Sequence, residues 1–259
     1  MSELVSLKGK KALITGSARG IGEAVAHRIA EASGDLELVD IDIGKLREVR
    51  DELSRYDVTV NVYEVDLSRK EEIDLLWEGM RGKGPDILVN NAGVYPFRGF
   101  LDVDEALLRR VVGINMDAVF WMCQHMIRSR LKMGGVIVNI ASIEAILPFK
   151  EDLSHYGVSK AGVISLTRSL AKEYGERGFR VNAIIPGGII TPGTKSVARE
   201  VLKLNLGLIK SGIEFRQRLP LKRAGQPDEV ARMVLVLASN VSSYVNGALI
   251  PVDGGFLSA

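Results

Sequence analysis

Cysteine is nearly absent. Cys123 is the one thiol among 259 residues, so no intramolecular disulfide can form and a reducing compartment is expected. Histidine is scarce too. His27, His125 and His155 are not spaced along the chain like metal ligands, and no metal is expected. An excess of one charge is missing: 34 basic and 32 acidic residues give +2, well mixed, which argues against a nucleic-acid surface. No apolar run reaches the roughly 18 residues of a membrane helix. Met1-Ser2-Glu3-Leu4-Val5-Ser6 carries no basic head with an apolar core, so a cytoplasmic location is expected. Low-complexity tracts, tandem repeats and Pro/Gly/Ser linkers are lacking as well. The simplest organisation is one domain over residues 1–259, with the 46% hydrophobic and 25% charged content of an ordinary globule.

What is present is a rhythm of short apolar runs and helical stretches. Ala12–Ile14, Leu36–Val39, Val58–Val62, Ile87–Val89, Val136–Val138, Val181–Ile184 and Ala248–Ile250 read as strands. Several are almost continuously apolar, as parallel strands covered on both faces must be. Between them, Ile21, Val25 and Ile29, and likewise Leu46, Val49 and Leu53, place an apolar stripe along one helix face. The expected fold class is α/β: a doubly wound, Rossmann-type parallel sheet of about seven strands with helices on both faces. Residues 189–219 break the rhythm with Thr191-Pro192-Gly193-Thr194 and then many apolar residues. A substrate lid is expected there, since α/β folds bind ligands beyond the strand C-termini.

The first strand runs into Thr15-Gly16-Ser17-Ala18-Arg19-Gly20-Ile21-Gly22. Gly16, Gly20 and Gly22 permit a tight turn, close backbone approach to phosphate and close helix–sheet packing. The helix opening near Gly20 offers free N–H groups to a pyrophosphate. Ser17, Arg19 and Ile21 are counted in the same expected cofactor site. Asp40 follows the second strand, 18 residues beyond Gly22. A carboxylate there accepts bonds from ribose hydroxyls and repels a 2′-phosphate, which favours NAD over NADP. Asp42 competes for that role if the strand register shifts, and Arg19 pulls toward NADP, since a guanidinium can pair with a 2′-phosphate. Ile41 joins this group. Asp66, ending the third strand, can meet the adenine amine or cap the next helix, and Leu67 follows it. Asn91, Ala92 and Gly93 end the fourth strand and let a cofactor lie close to the backbone.

Tyr156 and Lys160 stand four residues apart and share a helix face. A free phenol titrates near 10. A neighbouring ammonium favours phenolate, so Tyr156 can take a proton during alcohol oxidation or give one during carbonyl reduction. Ser142, ending the fifth strand, can hold the substrate oxygen. Asn115, on the preceding helix, can fix a water linking Lys160 to solvent.

Taken together, in this order and over essentially all 259 residues, these motifs resemble the short-chain dehydrogenase/reductase family. The resemblance implies Ser142, Tyr156, Lys160 and Asn115 as a catalytic tetrad. It implies that Lys160 also binds the nicotinamide ribose. It places Ile189 and Thr191, in Pro186-Gly187-Gly188-Ile189-Ile190-Thr191, at the carboxamide. Pro186 and Gly187 belong to the expected cofactor site and Gly188 to the substrate side. Val252-Asp253-Gly254-Gly255 resembles a C-terminal signature near subunit contacts, and a homotetramer is implied. Tyr244-Val245-Asn246-Gly247 departs from the family, which more often has threonine before the glycine. Glu144, two residues after Ser142, is placed to bind hydroxyls of a sugar or polyol, or to pair with a surface cation. Tyr95 adds an aromatic wall. His155 adjoins Tyr156 but should face elsewhere, and Cys123 should be core packing.

The expected activity is interconversion of a secondary alcohol, or a sugar or polyol hydroxyl, with its carbonyl, using NAD(H) in preference to NADP(H). The alternatives are an NADP-dependent 3-oxoacyl-thioester reductase and, from another class, a silent dinucleotide-sensing scaffold.

Overall fold

The computed structural model describes residues 2–82, 84–191 and 217–259. After a short helix α1 (Ser2–Val5), the chain alternates β1 (Lys11–Thr15), α2 (Gly20–Glu31), β2 (Asp35–Asp40), α3 (Ile43–Leu53), β3 (Val60–Glu64), α4 (Lys70–Gly79) and β4 (Ile87–Asn90). The second half runs α5 (Glu105–Val112), α6 (Ala118–Arg130), β5 (Gly135–Ile140), α7 (Ser154–Tyr174), β6 (Phe179–Pro186), α8 (Pro227–Ala238) and β7 (Leu249–Val252). The seven strands form one sheet in the order β3-β2-β1-β4-β5-β6-β7, and every pairing is parallel. The doubly wound expectation is met.

Alternation along each strand sorts side chains to the two faces. Leu13, Leu88, Ile137, Val181 and Ala183 point into one core with Ile73 of α4, Met122 of α6 and Val163 of α7. Their neighbours Ala12, Ile14, Ile87, Val89, Val138 and Ile184 point into the other, against Val25 of α2, Leu46 of α3 and Val234 of α8. Each fully buried Leu or Ile contributes about 1.5–3 kcal/mol. Two complete faces explain why the strand sequences carry so few polar residues. Glu37 is the charged exception on β2. It is 2% exposed and satisfied by Lys11 Nζ at 3.1 Å and the Tyr63 hydroxyl at 2.7 Å.

Two boundaries differ from the sequence reading. The third strand starts at Val60, because Val58 N–H donates to the Tyr56 carbonyl in a local turn and pairing begins at Leu36 opposite Val60. The last strand extends to Val252, opposite Pro186. Most of the lid expected at 189–219 lies outside the described residues.

The order reverses between β1 and β4. At such a switch point the loops leaving the two strands diverge and open a crevice beyond their C-terminal ends.

Candidate functional site

A cavity of about 750 Å³ occupies that crevice, a size suited to a small-molecule ligand. Its floor is the turn between β1 and α2. Gly16 has φ +65°, and a Cβ there would stand 2.7 Å from the Ala92 Cα. A Cβ on Gly22 would stand 2.1 Å from the Gly16 carbonyl oxygen. Only glycine permits these approaches, so the α2 N-terminus is drawn against the strand end at the cavity floor. Glu23 Oε2 accepts from Gly20 N–H at 3.1 Å, a cap invisible in the motif. Gly16, Arg19, Gly20 and Ile21 line the cavity. Ser17 does not, because its buried hydroxyl donates to the Val39 carbonyl at 3.3 Å.

β4 is tied to this turn. Asn91 Nδ2 donates to the carbonyls of Thr15 and Gly16 at 3.0 and 2.9 Å. The Thr15 hydroxyl accepts from the N–H groups of Asn91 and Ala92 at 3.0 and 3.1 Å. Asn91, Ala92 and Gly93 line the wall. Thr15 has no counterpart among the expected site residues; as the last residue of its strand it turns sideways toward its neighbour.

Asp40 and Ile41 reach the cavity from the end of β2. The Asp40 carboxylate accepts from Ala18 N–H at 3.0 Å and from Asp42 N–H at 3.1 Å. Asp42 caps α3 through Lys45 N–H and pairs with Arg19 at 2.6 Å. The register question is thereby answered: Asp40 faces the cavity and Asp42 stands behind it. Asp66 and Leu67 also line the wall. Asp66 Oδ1 accepts from both the N–H and the hydroxyl of Ser68, which shapes the turn rather than capping α4.

The far end is built by the loop after β5, by α7 and by the end of β6. Ser142, Glu144, Tyr156 and Lys160 line it, with Tyr95, Pro186, Gly187, Gly188, Ile189 and Thr191. The Ser142 hydroxyl accepts from Glu144 N–H at 3.2 Å. Enclosure pushes the Tyr156 phenol up to about 12, against the opposing pull of a hydrogen bond from Ser142. Lys160 is 3% exposed, and burial pushes its ammonium down to about 8. Its Nζ donates to the Ile140 carbonyl at 2.8 Å and stands 5.9 Å from the Tyr156 ring centroid. The ammonium therefore does not offset burial at the phenol, in contrast with the simple expectation from the i, i+4 pair. The Tyr95 and Tyr156 rings meet edge-on at 6.1 Å.

Asn115 sits in a π-helical turn, Gly113–Asp117, between α5 and α6. It is fully buried and outside the cavity wall. Its amide accepts from Val94 N–H and donates to the Val94 carbonyl, both at 2.8 Å, and donates to the Ser159 hydroxyl at 3.1 Å. The side chain thus braces the Gly93–Val94 loop against α7. A second buried chain runs from Asn90 to Asn139 to Thr167 at 2.8 and 2.9 Å, and nothing in the sequence periodicity marks it.

His155 faces away from the chemistry, bonding the Pro96 carbonyl at 2.8 Å. Cys123 is buried. Glu23, His27 and Glu52 do converge, across α2 and α3, although their spacing along the chain gives no hint of it. Glu23 is already occupied by Gly20 N–H and His27 Nδ1 by Arg55, so the group is accounted for within the fold. No helix among the described residues is long and apolar enough to cross a membrane.

A family profile described as enoyl-(acyl carrier protein) reductase matches residues 16–257. A 3-oxoacyl-[acyl-carrier-protein] reductase from Aquifex aeolicus (strain VF5) is 34% identical over 97% of this chain and 98% of its own. A 2-dehydro-3-deoxy-D-gluconate 5-dehydrogenase from Bacillus subtilis (strain 168) is 36% identical over 100% of this chain and 98% of its own. The solved structure of L-sorbose reductase from Gluconobacter frateurii, complexed with NADPH and L-sorbose, superimposes with a TM-score of 0.91 at 31% identity, covering 99% of each chain. A profile match over residues 16–257 and relatives of 34–36% identity across nearly the whole sequence show that the chain belongs to the short-chain dehydrogenase/reductase family.

Proposed function

We propose that the protein interconverts a polyhydroxylated secondary alcohol and its ketone, with a nicotinamide dinucleotide lying between the glycine turn and Gly187. The residues present fit such a group: the cradle at Gly16 and Gly22 is one a Cβ would fill, and it opens on a helix N-terminus. When bound, the dinucleotide accepts or supplies the hydride at the substrate carbon. Ser142 holds the substrate oxygen beside Tyr156. In oxidation the Tyr156 oxygen takes the hydroxyl proton; in reduction it returns one to the carbonyl oxygen. Lys160 supplies positive charge behind the phenol and reaches the ribose hydroxyls. Ile189 and Thr191 hold the carboxamide end, and Asn115 keeps the Gly93–Val94 wall in place.

The observation that carries the substrate class is Glu144. Its Oε1 makes no hydrogen bond, while the carboxylate is met by the backbone N–H groups of Phe149, at 3.4 Å to Oε2, and of Lys150. A buried acceptor left empty costs about 1–3 kcal/mol. A substrate hydroxyl next to the reacting carbon, donating to Oε1, removes that cost. Replacing Glu144 with Gln is expected to lower kcat/KM for a polyol by about 10- to 100-fold. A simple secondary alcohol without the neighbouring hydroxyl should change little. Equal losses for both substrates would defeat this assignment.

NAD(H) is the preferred cofactor in this reading. Asp42 pairs with the Arg19 guanidinium, and Asp40 lines the cavity with no cation of its own among the described residues, so its negative charge opposes a 2′-phosphate. Asp40→Ala should shift the NAD-to-NADP ratio of kcat/KM toward NADP by about tenfold or more; an unmoved ratio would refute the role. A second reading, NADP-dependent reduction of 3-oxoacyl thioesters, is favoured by Arg19 on the cavity rim, by the Aquifex relative and by the NADPH in the sorbose reductase structure. Activity on acyl thioesters alone would establish it. A homotetramer remains the proposed assembly, supported by exposed Phe120, Val158 and Tyr244 and testable by light scattering.

A further inference from the structure

Lys150 is a cation that the reaction outlined above does not use. It lies in the loop between β5 and α7 and lines the same cavity as Glu144 and Tyr156. Its Nζ stands over the Phe97 ring at 5.2 Å and the Phe149 ring at 5.5 Å. The two rings come from different loops, after β4 and after β5, and hold the ammonium in place. Glu144 is its charged neighbour, yet the two form no ion pair, and the ammonium makes no hydrogen bond among the described residues. Burial pulls its titration below the usual lysine range against the opposing pull of Glu144, as expected of an ammonium that has lost water without a direct ion pair. Ring faces attract a cation but leave its N–H donors unused.

We propose that Lys150 binds the carboxylate of the substrate, so that the preferred substrate is a polyhydroxy acid, an aldonate or its keto form, rather than a neutral polyol. This rests on the reading of the cavity as an alcohol–carbonyl site. Two complementary vacant groups define the ligand: Glu144 Oε1 wants a hydroxyl donor, and Lys150 wants an anionic acceptor. A single ammonium beside a carboxylate matches a monoanion. A phosphate ester, carrying about −1.5 to −2 charges, would meet repulsion from Glu144 that one lysine does not cancel.

The test compares initial rates on aldonates, on alditols of matched length and stereochemistry, and on the matching sugar phosphates, for the wild type, Lys150→Gln and Lys150→Arg. The wild type should prefer aldonates over alditols by about tenfold or more in kcat/KM. Lys150→Gln should raise KM for the aldonate about 10- to 30-fold with kcat little changed, and leave the alditol KM where it was. Lys150→Arg should recover most of the loss. Equal use of aldonates and alditols by the wild type, a preference for phosphates, or the same rise in KM for acid and alditol in Lys150→Gln would each overturn the inference. Should Lys150→Gln not fold, the wild-type ratio of acid to alditol decides alone. Failure of the underlying reading looks different: no polyhydroxylated substrate of any charge is turned over while an oxoacyl thioester is reduced.

Discussion

Replacing Tyr156 with Phe lowers turnover by about 10²- to 10⁴-fold, the range that a positioned proton donor or acceptor contributes, while dinucleotide binding stays close to that of the wild type. The phenol is the titratable group that hydrogen-bonds Ser142. His155, its neighbour in sequence, is turned to the Pro96 carbonyl. Glu144 shares the cavity wall from the middle of the 3₁₀ turn Ile143–Ala145, with its own backbone N–H tied to Ser142. Binding survives because the glycine turn and Asp40 are separate from the phenol. Stability should change by no more than about 1 kcal/mol, since one hydrogen bond is lost and the ring is kept. The pH dependence has a definite sign. With the phenol pushed up to about 12, the proton-accepting form is scarce at neutral pH and grows with pH. Alcohol oxidation should therefore rise with pH until Lys160, pushed down to about 8, begins to lose the charge behind the phenol, and carbonyl reduction, which uses the protonated phenol, should not rise. Stopped-flow turnover and a dinucleotide titration on the same preparation check both halves. A Phe variant retaining turnover within about tenfold of the wild type would remove Tyr156 from the mechanism.

Replacing Lys160 with Met should separate stability from function in the opposite direction. Turnover should fall by about 10²-fold or more, because the positive charge behind the phenol and the contact to the ribose are lost together. The folded protein should become more stable at pH 7. Lowering the ammonium from 10.5 to about 8 corresponds to a cost of about 3 kcal/mol for keeping it charged in the native state. Met has similar length and fills the same channel. The orphaned Ile140 carbonyl takes back about 1 kcal/mol, leaving a net gain of about 1–2 kcal/mol. The linkage supplies a second check. Between the native value near 8 and the unfolded value near 10.5 the unfolded chain binds the extra proton, so wild-type stability rises with pH across that window. The advantage of the Met variant should be full below pH 8 and shrink toward 10.5. Thermal melts at pH 7 and pH 10 measure it; a variant less stable than the wild type at pH 7 would contradict the cost assigned to the buried charge.

The elements that position the site follow from local chemistry, which is why they could be read along the chain. Glycines at 16 and 22 meet backbone at distances no Cβ tolerates, and such demands leave a direct mark on residue type. Ile14 and Leu13 go to opposite cores because the strand alternates, so the sheet was legible from apolar runs. Tyr156 and Lys160 share a face because the helix repeats every 3.6 residues. Side-chain direction at element ends was not legible. Ser17 belongs to the motif but turns to Val39, while Thr15, outside the expected set, ties the two central strands together. Asn115 braces a loop with every polar atom of its amide. The meeting of Lys150 with Phe97 depends on two loops brought together by the order of the sheet, and no periodicity within either one encodes it. The balance at Tyr156 was also hidden: spacing reveals that an ammonium is near, whereas burial, a property of the whole fold, decides which way the phenol titrates.

The most direct test of the account is the initial rate of the wild-type protein with NAD and with NADP against polyhydroxylated alcohols and acids at alkaline pH, followed by nicotinamide absorbance. Dinucleotide reduction is expected with these substrates, faster with NAD than with NADP. Tight dinucleotide binding without turnover of any alcohol, acid or carbonyl would contradict it and leave a binding protein in place of an enzyme.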